Sequence, residues 1–201
     1  IIIQGIIRQG AKNIYISPFE HNAVTRTLHY YENLGQIKVT QLHVTSNLEF
    51  DLQRIRFQFE ERRPDLVILS HASNVIGLIA PVDEIFREAK AYGAITVLDM
   101  AQSAGLVDCD LSKDYFDPTG ISGFVMKPDF NLEPVFFGGT GFESANQDMP
   151  RSLPERFEFG TLNTVGIVGL NASIKWILEQ GINAIAQKES SNRKTLIELL
   201  S

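Results

Sequence analysis

The side chains best suited to chemistry follow three short apolar runs of the sequence. Asp99 comes directly after "AITVL" (94–98), and small and polar residues follow it. A carboxylate in that position either belongs to a turn, where Asp is common, or holds a cationic part of a ligand. Polar side chains also follow the runs "NIYIS" and "DLVILS": Glu20, His21 and Asn22 after the first, and His71, Ser73 and Asn74 after the second. This repetition favours a binding site over an isolated turn residue.

The chain up to Gly105 alternates between strand-like and helix-like patterns. Strands are predicted at 13–17, 36–44, 65–70 and 94–98, and helices at 21–35, 51–63 and 81–93. This alternation predicts an α/β fold with a mainly parallel sheet sandwiched by helices. Ligands bind such sheets outside the carboxyl ends of the strands. We therefore expect Glu20, Asn74 and Asp99 at one edge of the sheet, facing one crevice.

The pattern changes after Gly105. The segments "ISGFVMK" (121–127) and "EPVFF" (133–137) are predicted to be short strands, and the glycine-rich turn "GGTG" (138–141) follows them. A long helix is predicted from 163 to a glycine stop at 181, and an amphipathic helix from about 182 onward. Both ends of the chain lie within helical patterns, so we expect it to be cut from a longer protein.

Composition narrows the class of protein. The 18 basic and 24 acidic residues give a net charge of −6, which argues against a nucleic-acid partner because no basic stripe compensates for it. A single cysteine, Cys109, excludes a disulfide framework and fits the reducing cytoplasm. No apolar run reaches the length that spans a membrane, so no membrane association is expected.

Five segments together resemble the class V aminotransferase-like enzymes in their order and spacing. They are "EHNAV", "SHASNVIG", "LDMAQSAG", "GGTG" and "ERFEFGTLNTVGIVGL". The group with the greatest similarity is that of the cysteine desulfurases. The resemblance implies a pyridoxal-phosphate (PLP) enzyme of fold type I, with the aspartate aminotransferase-like large domain over 1–201, incomplete at both ends. The last helix is expected to lead into a small C-terminal domain.

The resemblance also implies roles for five residues. Asp99 matches the carboxylate that pairs with the protonated pyridine nitrogen, which PLP needs as an electron sink. His21 matches the residue that stacks on the pyridine ring, and we predict that His21 and Asp99 are catalytic. Asn74 and Gln102 would hydrogen-bond the phenolic oxygen of the ring. Thr161 resembles a residue that reaches the phosphate of the neighbouring subunit's cofactor, so a homodimer is implied.

Each of these residues also has a structural interpretation. His21 could simply begin a helix, Asn74 could serve a turn that ends at Gly77, and Gln102 could be solvated. Thr161 could belong to the entry of the following helix. A metal hydrolase that uses His21, His71 and Asp99 is another alternative, but no HxH or HExxH spacing supports it, and no metal ligands are predicted.

The lysine that the resemblance leads one to expect is missing. In the family, PLP forms a Schiff base with a lysine that follows Ser/Thr-Gly-His. No His-Lys pair occurs in this sequence, and the segment should fall between Asp117 and Pro118. Lys113 and Cys109 do not match the family's lysine or mobile cysteine. Two explanations remain: about a dozen residues are absent between Asp117 and Pro118, or the protein keeps the fold without catalysis.

The sequence therefore predicts a cytoplasmic PLP enzyme that acts on an amino acid. A cysteine desulfurase that releases sulfur from L-cysteine is favoured, with a sulfur-acceptor protein as a partner. The alternatives are a class V aminotransferase or another PLP lyase, and, in a different class, a non-catalytic scaffold that lacks the Schiff-base lysine.

Overall fold

The structure is a computed structural model, and it describes residues 1–104, 123–127, 130–142 and 146–200. The chain divides into two compact units: a first unit of residues 1–99 and 126–162, and a second unit of residues 100–125 and 163–201. The elements of the first unit are α1 (Ile2–Arg8), β1 (Asn13–Ile16), α2 (Asn22–Asn33), β2 (Lys38–Gln41), α3 (Leu52–Glu61), β3 (Leu66–Ser70), α4 (Val82–Ala91) and β4 (Ile95–Asp99). The second unit contains α5 (Thr164–Gln180) and α6 (Ile182–Leu200).

The four strands form one parallel sheet in the order β2-β1-β3-β4. Right-handed crossovers, which parallel strands require, put α2 on one face of this sheet and α3 and α4 on the other. The helix contacts agree, because α1 packs on α2 and α3 packs on α4. The predicted parallel sheet between helices is thereby confirmed for the first unit.

The core lies on both faces of the two central strands. All five residues of β3 are buried, and so are Ile14 to Ile16 of β1, as expected for strands that are covered on both sides. Phe59 of α3 is fully buried and meets the ring of Tyr15 edge to face, with ring centroids 5.0 Å apart. The Tyr15 hydroxyl lies 2.8 Å from the Gln58 carbonyl oxygen, and burial raises the pKa of the phenol. These contacts pack α3 against β1.

Three predicted boundaries shift for identifiable reasons. The second strand covers Lys38–Gln41 instead of 36–44, because β2 is an edge strand and its ladder with β1 has only four residue pairs. Helix α2 begins after His21, which caps it, and Gly35 follows its end with φ at 68°. Asp99 is the last residue of β4 rather than the first residue after it.

The strand predicted at 133–137 is wrong. Residues 130–137 follow an irregular path past α1, where the Arg8 guanidinium donates to the Pro134 carbonyl oxygen at 3.3 Å and the Gln9 amide donates to the Asn131 carbonyl oxygen. A Cβ on Gly5 would lie 2.6 Å from the Leu132 side chain, so the close approach depends on glycine. The described part of the other predicted strand, 123–127, is also irregular.

The second unit is described by its two helices. The Asn163 side chain caps α5 by accepting from the Gly166 amide at 3.0 Å, and Gly181, with φ at 80°, separates α5 from α6. Both helices match their predicted positions. They expose many large apolar side chains; Val165 is 83% exposed and Leu178 is 73% exposed. None of the helices in the described part of the chain combines the length and hydropathy that a membrane span needs.

Candidate active site

The candidate site is the edge of the sheet formed by the carboxyl ends of β1, β3 and β4. Because these strands are neighbours and parallel, the segments that leave them emerge on one side. Glu20 follows β1, Asn74 follows β3, and Asp99 ends β4. The expectation that these three residues share one edge of the sheet is confirmed.

Glu20 binds the ends of two strands through both of its carboxyl oxygens. Its Oε1 accepts from the Ser17 hydroxyl at 2.5 Å and from the Ser70 amide at 2.7 Å, and its Oε2 lies 2.8 Å from the Ser70 hydroxyl. Burial raises the pKa of the Glu20 carboxyl, and the negative charge of Asp99 raises it further. The hydrogen bonds from Ser17 and Ser70 act in the opposite direction. Two acidic groups therefore interact at this edge.

Asp99 is placed by the ladder between β3 and β4. Its Cα pairs with that of Ser70, and its backbone carbonyl oxygen accepts from the His71 amide at 2.8 Å. Neighbouring strands in a sheet lie about 4.8 Å apart. The backbone of Asp99, whose residue is partly buried, is thus fixed beside Ser70, the residue that binds Glu20.

His21 is the N-cap of α2. Its Nδ1 accepts from the Ala23 amide at 3.2 Å, so the ring has a defined orientation and Nδ1 carries no proton in this contact. The residue is exposed. His21 therefore begins a helix, as its structural interpretation proposed. The cap uses only Nδ1, so Nε2 and the ring face take no part in it.

Asn74 lies in a folded loop between β3 and α4. The Ser73 amide donates to the Leu78 carbonyl oxygen at 2.9 Å, an isolated antiparallel bridge joins Ala72 to Ile79, and Gly77 has φ at 67°. Asn74 itself is exposed at the start of this loop. The loop is a turn, as the structural interpretation proposed, and it follows β3 at the site edge.

His71 is not among the residues to which the resemblance gives a role, and it is buried. It is 7% exposed directly after β3, where burial lowers its pKa and the charge of Asp83 acts against that shift. Its backbone carbonyl oxygen accepts from the Ala80 amide at 2.9 Å, which closes the loop after β3. These contacts indicate a structural role in supporting the loop that carries Asn74.

Two predicted site residues lie apart from these contacts. Gln102 belongs to the second unit, where it is exposed on the turn 101–104. Thr161 is exposed near the end of the first unit, after Gly160, whose amide donates to the Gly139 carbonyl oxygen at 2.8 Å. Their roles toward a cofactor remain predictions. Cys109, Lys113 and the Asp117–Pro118 position lie outside the described residues.

Sequence reasoning placed Glu20 at the site edge and missed its partners. The sequence does contain a signal for these partners, since the segments "NIYIS" and "DLVILS" both end in serine, at Ser17 and Ser70. What could not be inferred from local pattern is that one carboxyl group joins the two. Among the described residues, no group of three or more His, Cys, Asp or Glu side chains could hold a metal ion.

Comparison with known proteins identifies the family of the chain. All of the chain, residues 1–201, matches the family model for aminotransferase class-V. The chain belongs to the class-V aminotransferase family. This confirms the resemblance that the five sequence segments indicated.

Curated class-V relatives include cysteine desulfurases. The chain is 31% identical over 204 residues to a probable cysteine desulfurase of Pyrococcus abyssi, covering 93% of this chain and 50% of that protein. It is 31% identical over 208 residues to a cysteine desulfurase of Enterobacter sp., covering 94% of this chain and 50% of that protein. The chain therefore spans about half the length of the curated relatives it matches.

A solved structure supports the same fold. The apo structure of cysteine desulfurase from Thermococcus onnurineus NA1 superposes with a TM-score of 0.82 at 26% identity, covering 97% of this chain and 55% of that chain. The predicted α/β fold of the PLP-dependent type, incomplete relative to such structures, is confirmed.

The residues at the site edge can be tested against the cofactor of class-V enzymes. A ring with a protonated nitrogen needs a fixed carboxylate and a flat neighbour, and Asp99 and His21 stand at the same sheet edge with defined backbone positions. The chemistry of these two side chains suits the ring of PLP, and their roles toward it stay predictions. No lysine in the sequence follows Ser/Thr-Gly-His, so the covalent attachment point is not assigned.

Proposed function

We propose that the protein is a PLP-dependent enzyme of the cysteine desulfurase type, which releases sulfur from L-cysteine. The observation that carries the proposal is the position of Asp99 at the carboxyl end of β4, beside Ser70 and within the electrostatic reach of Glu20. The cysteine desulfurase relatives support the choice of substrate. The cofactor, when bound, supplies an electron sink for the carbon that loses a proton or a substituent.

The chain's own residues would bind and orient that cofactor. Asp99, at the end of β4, would keep the ring nitrogen protonated through its negative charge, and His21, at the start of α2, would cover the ring face. By the family resemblance, Asn74 and Gln102 would each donate a hydrogen bond to the phenolic oxygen. By the same resemblance, Thr161 would contact the cofactor phosphate of a second subunit in a homodimer.

Location and partners form part of the same proposal. The single cysteine of the sequence supports a cytoplasmic protein. A sulfur-acceptor protein is the partner that a desulfurase of this type requires. A class V aminotransferase or another PLP lyase remains the alternative within the same chemistry.

A non-catalytic scaffold is the second candidate, and one observation favours it. The sequence runs directly from Asp117 to Pro118 and contains no His-Lys pair. A protein of this kind would keep the ring-binding residues but could not hold PLP covalently through the family's lysine.

The experiment that tests the proposal uses the purified full-length protein incubated with PLP. We expect a yellow protein, sulfide release from L-cysteine when a thiol reductant such as dithiothreitol supplies the two electrons, and, after borohydride reduction, a single lysine peptide with the mass of the reduced cofactor. PLP that binds but is removed by dialysis after borohydride treatment, without sulfide release, would establish the scaffold. Release of a keto acid product without sulfide would instead indicate an aminotransferase.

A further inference from the structure

A buried serine, Ser73, lies at the base of the exposed tip of the loop after β3. This loop joins β3 to α4 over residues 71–81, whereas connections between a strand and a helix usually have about 2–6 residues. Its tip, residues 74–77, is exposed, but Ser73 beside the tip is only 6% exposed. Backbone groups in a connection of this length need partners in the loop itself or in water. Ser73 provides such partners from the buried side.

Three groups of Ser73 bind other parts of the same loop. Its amide donates to the Leu78 carbonyl oxygen at 2.9 Å, and its carbonyl oxygen accepts from the Gly77 amide at 2.9 Å. Its hydroxyl oxygen accepts from the Val75 amide at 3.3 Å and from the Ile76 amide at 3.5 Å. Serine hydroxyls that bind nearby backbone amides in this way stabilise turns. The Ser73 hydroxyl is therefore the one side-chain group that closes this turn around its tip.

The first residue of the tip is Asn74, to which the family resemblance gives a role toward the cofactor. Its backbone lies between the amide bond of Ser73 and the hydroxyl-bound amide of Val75, so it is fixed on both sides. The residue itself is exposed. An exposed loop residue loses conformational freedom when it binds a ligand, and this cost falls when the loop is already folded. Preforming the tip therefore favours ligand binding through Asn74.

We propose that Ser73 is a positioning residue of the site, whose buried hydroxyl folds the tip of the loop before a ligand binds and thereby holds the backbone of Asn74 at the sheet edge. The part that concerns PLP rests on the proposed function, because the role of Asn74 does. The folding of the tip by the hydroxyl is independent of any cofactor.

The loop after β2 contains a matched control for this arrangement. The Thr45 hydroxyl oxygen accepts from the amides of Asn47 and Glu49 at 3.3 Å each, and the Thr45 carbonyl oxygen accepts from the Leu48 amide at 3.0 Å. Strand β2 is separated from β3 by β1, and its loop carries none of the predicted site residues. Thr45→Ala thus removes the same kind of hydroxyl elsewhere. Because threonine builds this turn after β2, Ser73→Thr is the conservative variant.

The first measurement is amide hydrogen exchange by NMR on the full-length protein without cofactor. We expect the Val75 and Ile76 amides to exchange about 5-fold faster in Ser73→Ala, as the loss of one hydrogen bond typically produces. They should stay within about 2-fold of wild type in Ser73→Thr and in Thr45→Ala. The Asn47 and Glu49 amides should exchange faster in Thr45→Ala, which shows that the method detects such a bond. Unchanged exchange of Val75 and Ile76 in Ser73→Ala overturns the proposal.

The second measurement is the PLP dissociation constant at pH 7.5, with and without the Asn74 side chain. We expect Ser73→Ala to bind PLP about 5-fold more weakly than wild type, and Ser73→Thr and Thr45→Ala to stay within about 2-fold. If Ser73 acts through Asn74, adding Ser73→Ala to Asn74→Ala should weaken binding by less than about 2-fold further. Equal weakening in both backgrounds, or wild-type affinity in Ser73→Ala or Asn74→Ala, overturns the positioning role.

Two provisions keep the experiment decisive. If Ser73→Ala does not fold, Ser73→Cys replaces it, because a thiol of similar size is a weaker acceptor than a hydroxyl. A wild-type protein that binds no PLP refutes the proposed function. Hydrogen exchange in Ser73→Ala then still decides whether the hydroxyl folds the tip, with faster exchange of Val75 and Ile76 supporting it and unchanged exchange overturning it.

Discussion

Replacing Asp99 with Asn removes the negative charge at the end of β4 and changes the shape of the side chain very little. If Asp99 pairs with a protonated ring nitrogen, we expect the variant to fold, to bind PLP more weakly and to release sulfide from L-cysteine at least ~100-fold more slowly, as loss of one preorganised electrostatic group typically costs 10²–10³ in rate. A second effect should appear in Glu20. Because Asp99 raises the pKa of Glu20, that pKa should fall in the variant.

The structure sets the scale of the first effect. Asp99 is partly buried, where an effective dielectric constant of about 20 applies, and two opposite charges about 4 Å apart then attract by about 4 kcal/mol. A 100-fold loss of rate corresponds to about 2.7 kcal/mol. The pair can therefore supply the predicted effect even if a third of its attraction is retained by the Asn amide and by solvent.

The assay is steady-state sulfide release together with a PLP titration, and Asp65→Asn is the matched control. Asp65 stands at the opposite end of the sheet, where its Oδ2 accepts from the amides of Lys12 and Asn13 at 2.8 Å each. The Asp65→Asn control should lose stability, since hydrogen bonds to charged groups contribute about 1.5–3 kcal/mol to folding. Its turnover should stay within about 3-fold of wild type, because Asp65, Lys12 and Asn13 do not lie at the site edge. Turnover by Asp99→Asn at the rate of Asp65→Asn would refute the reasoning and leave Asp99 as a turn residue.

Three further predictions concern stability. Phe59→Ala should lower the free energy of unfolding by about 3–5 kcal/mol, because it removes a fully buried ring that contacts Tyr15; a smaller change in the urea midpoint than Asp65→Asn would contradict this core assignment. Gly77→Ala should cost about 1–2 kcal/mol from backbone strain alone, since its φ is 67° and an added Cβ would meet nothing within 4 Å, and thermal unfolding checks it. The hydrogen bond from Arg56 lowers the pKa of Glu88. Wild type should therefore be more stable than Arg56→Ala near pH 7, and this difference in the free energy of unfolding should disappear as pH falls through the lowered pKa.

The central strands could be predicted closely because burial on both faces leaves a continuous apolar run. β3 begins one residue later than predicted, β4 is shifted by one residue at both ends, and α5 lies between the Asn163 and Gly181 signals. The edge strand β2 was overpredicted, since alternation continues in the sequence beyond the four residues that find a partner on β1. Residues 133–137 were predicted to be a strand, but the segment is irregular, and its Pro134 carbonyl oxygen accepts from the Arg8 side chain of α1.

The site was predictable where its residues follow strands directly. Asp99, Asn74 and Glu20 could be assigned to one edge because the carboxyl ends of parallel strands coincide. The Glu20–Ser70 hydrogen bonds join residues 50 positions apart, and no local pattern encodes such a contact. The position of His21 predicted the start of a helix. It did not predict that the Nδ1 atom of the ring accepts the capping hydrogen bond.

The strand order β2-β1-β3-β4 has a consequence for where a ligand can enter. The chain moves from β1 outward to β2, then crosses back to β3 on the other side of β1, so the connections that leave β1 and β3 diverge to opposite faces. That divergence is the topological switch point, where open parallel sheets form a crevice. The bonds between Glu20 and Ser70 cross the crevice at its base, so its floor is closed and polar. A ligand in this protein would therefore rest on a floor made of two strands, between walls formed by the start of α2 and the loop after β3.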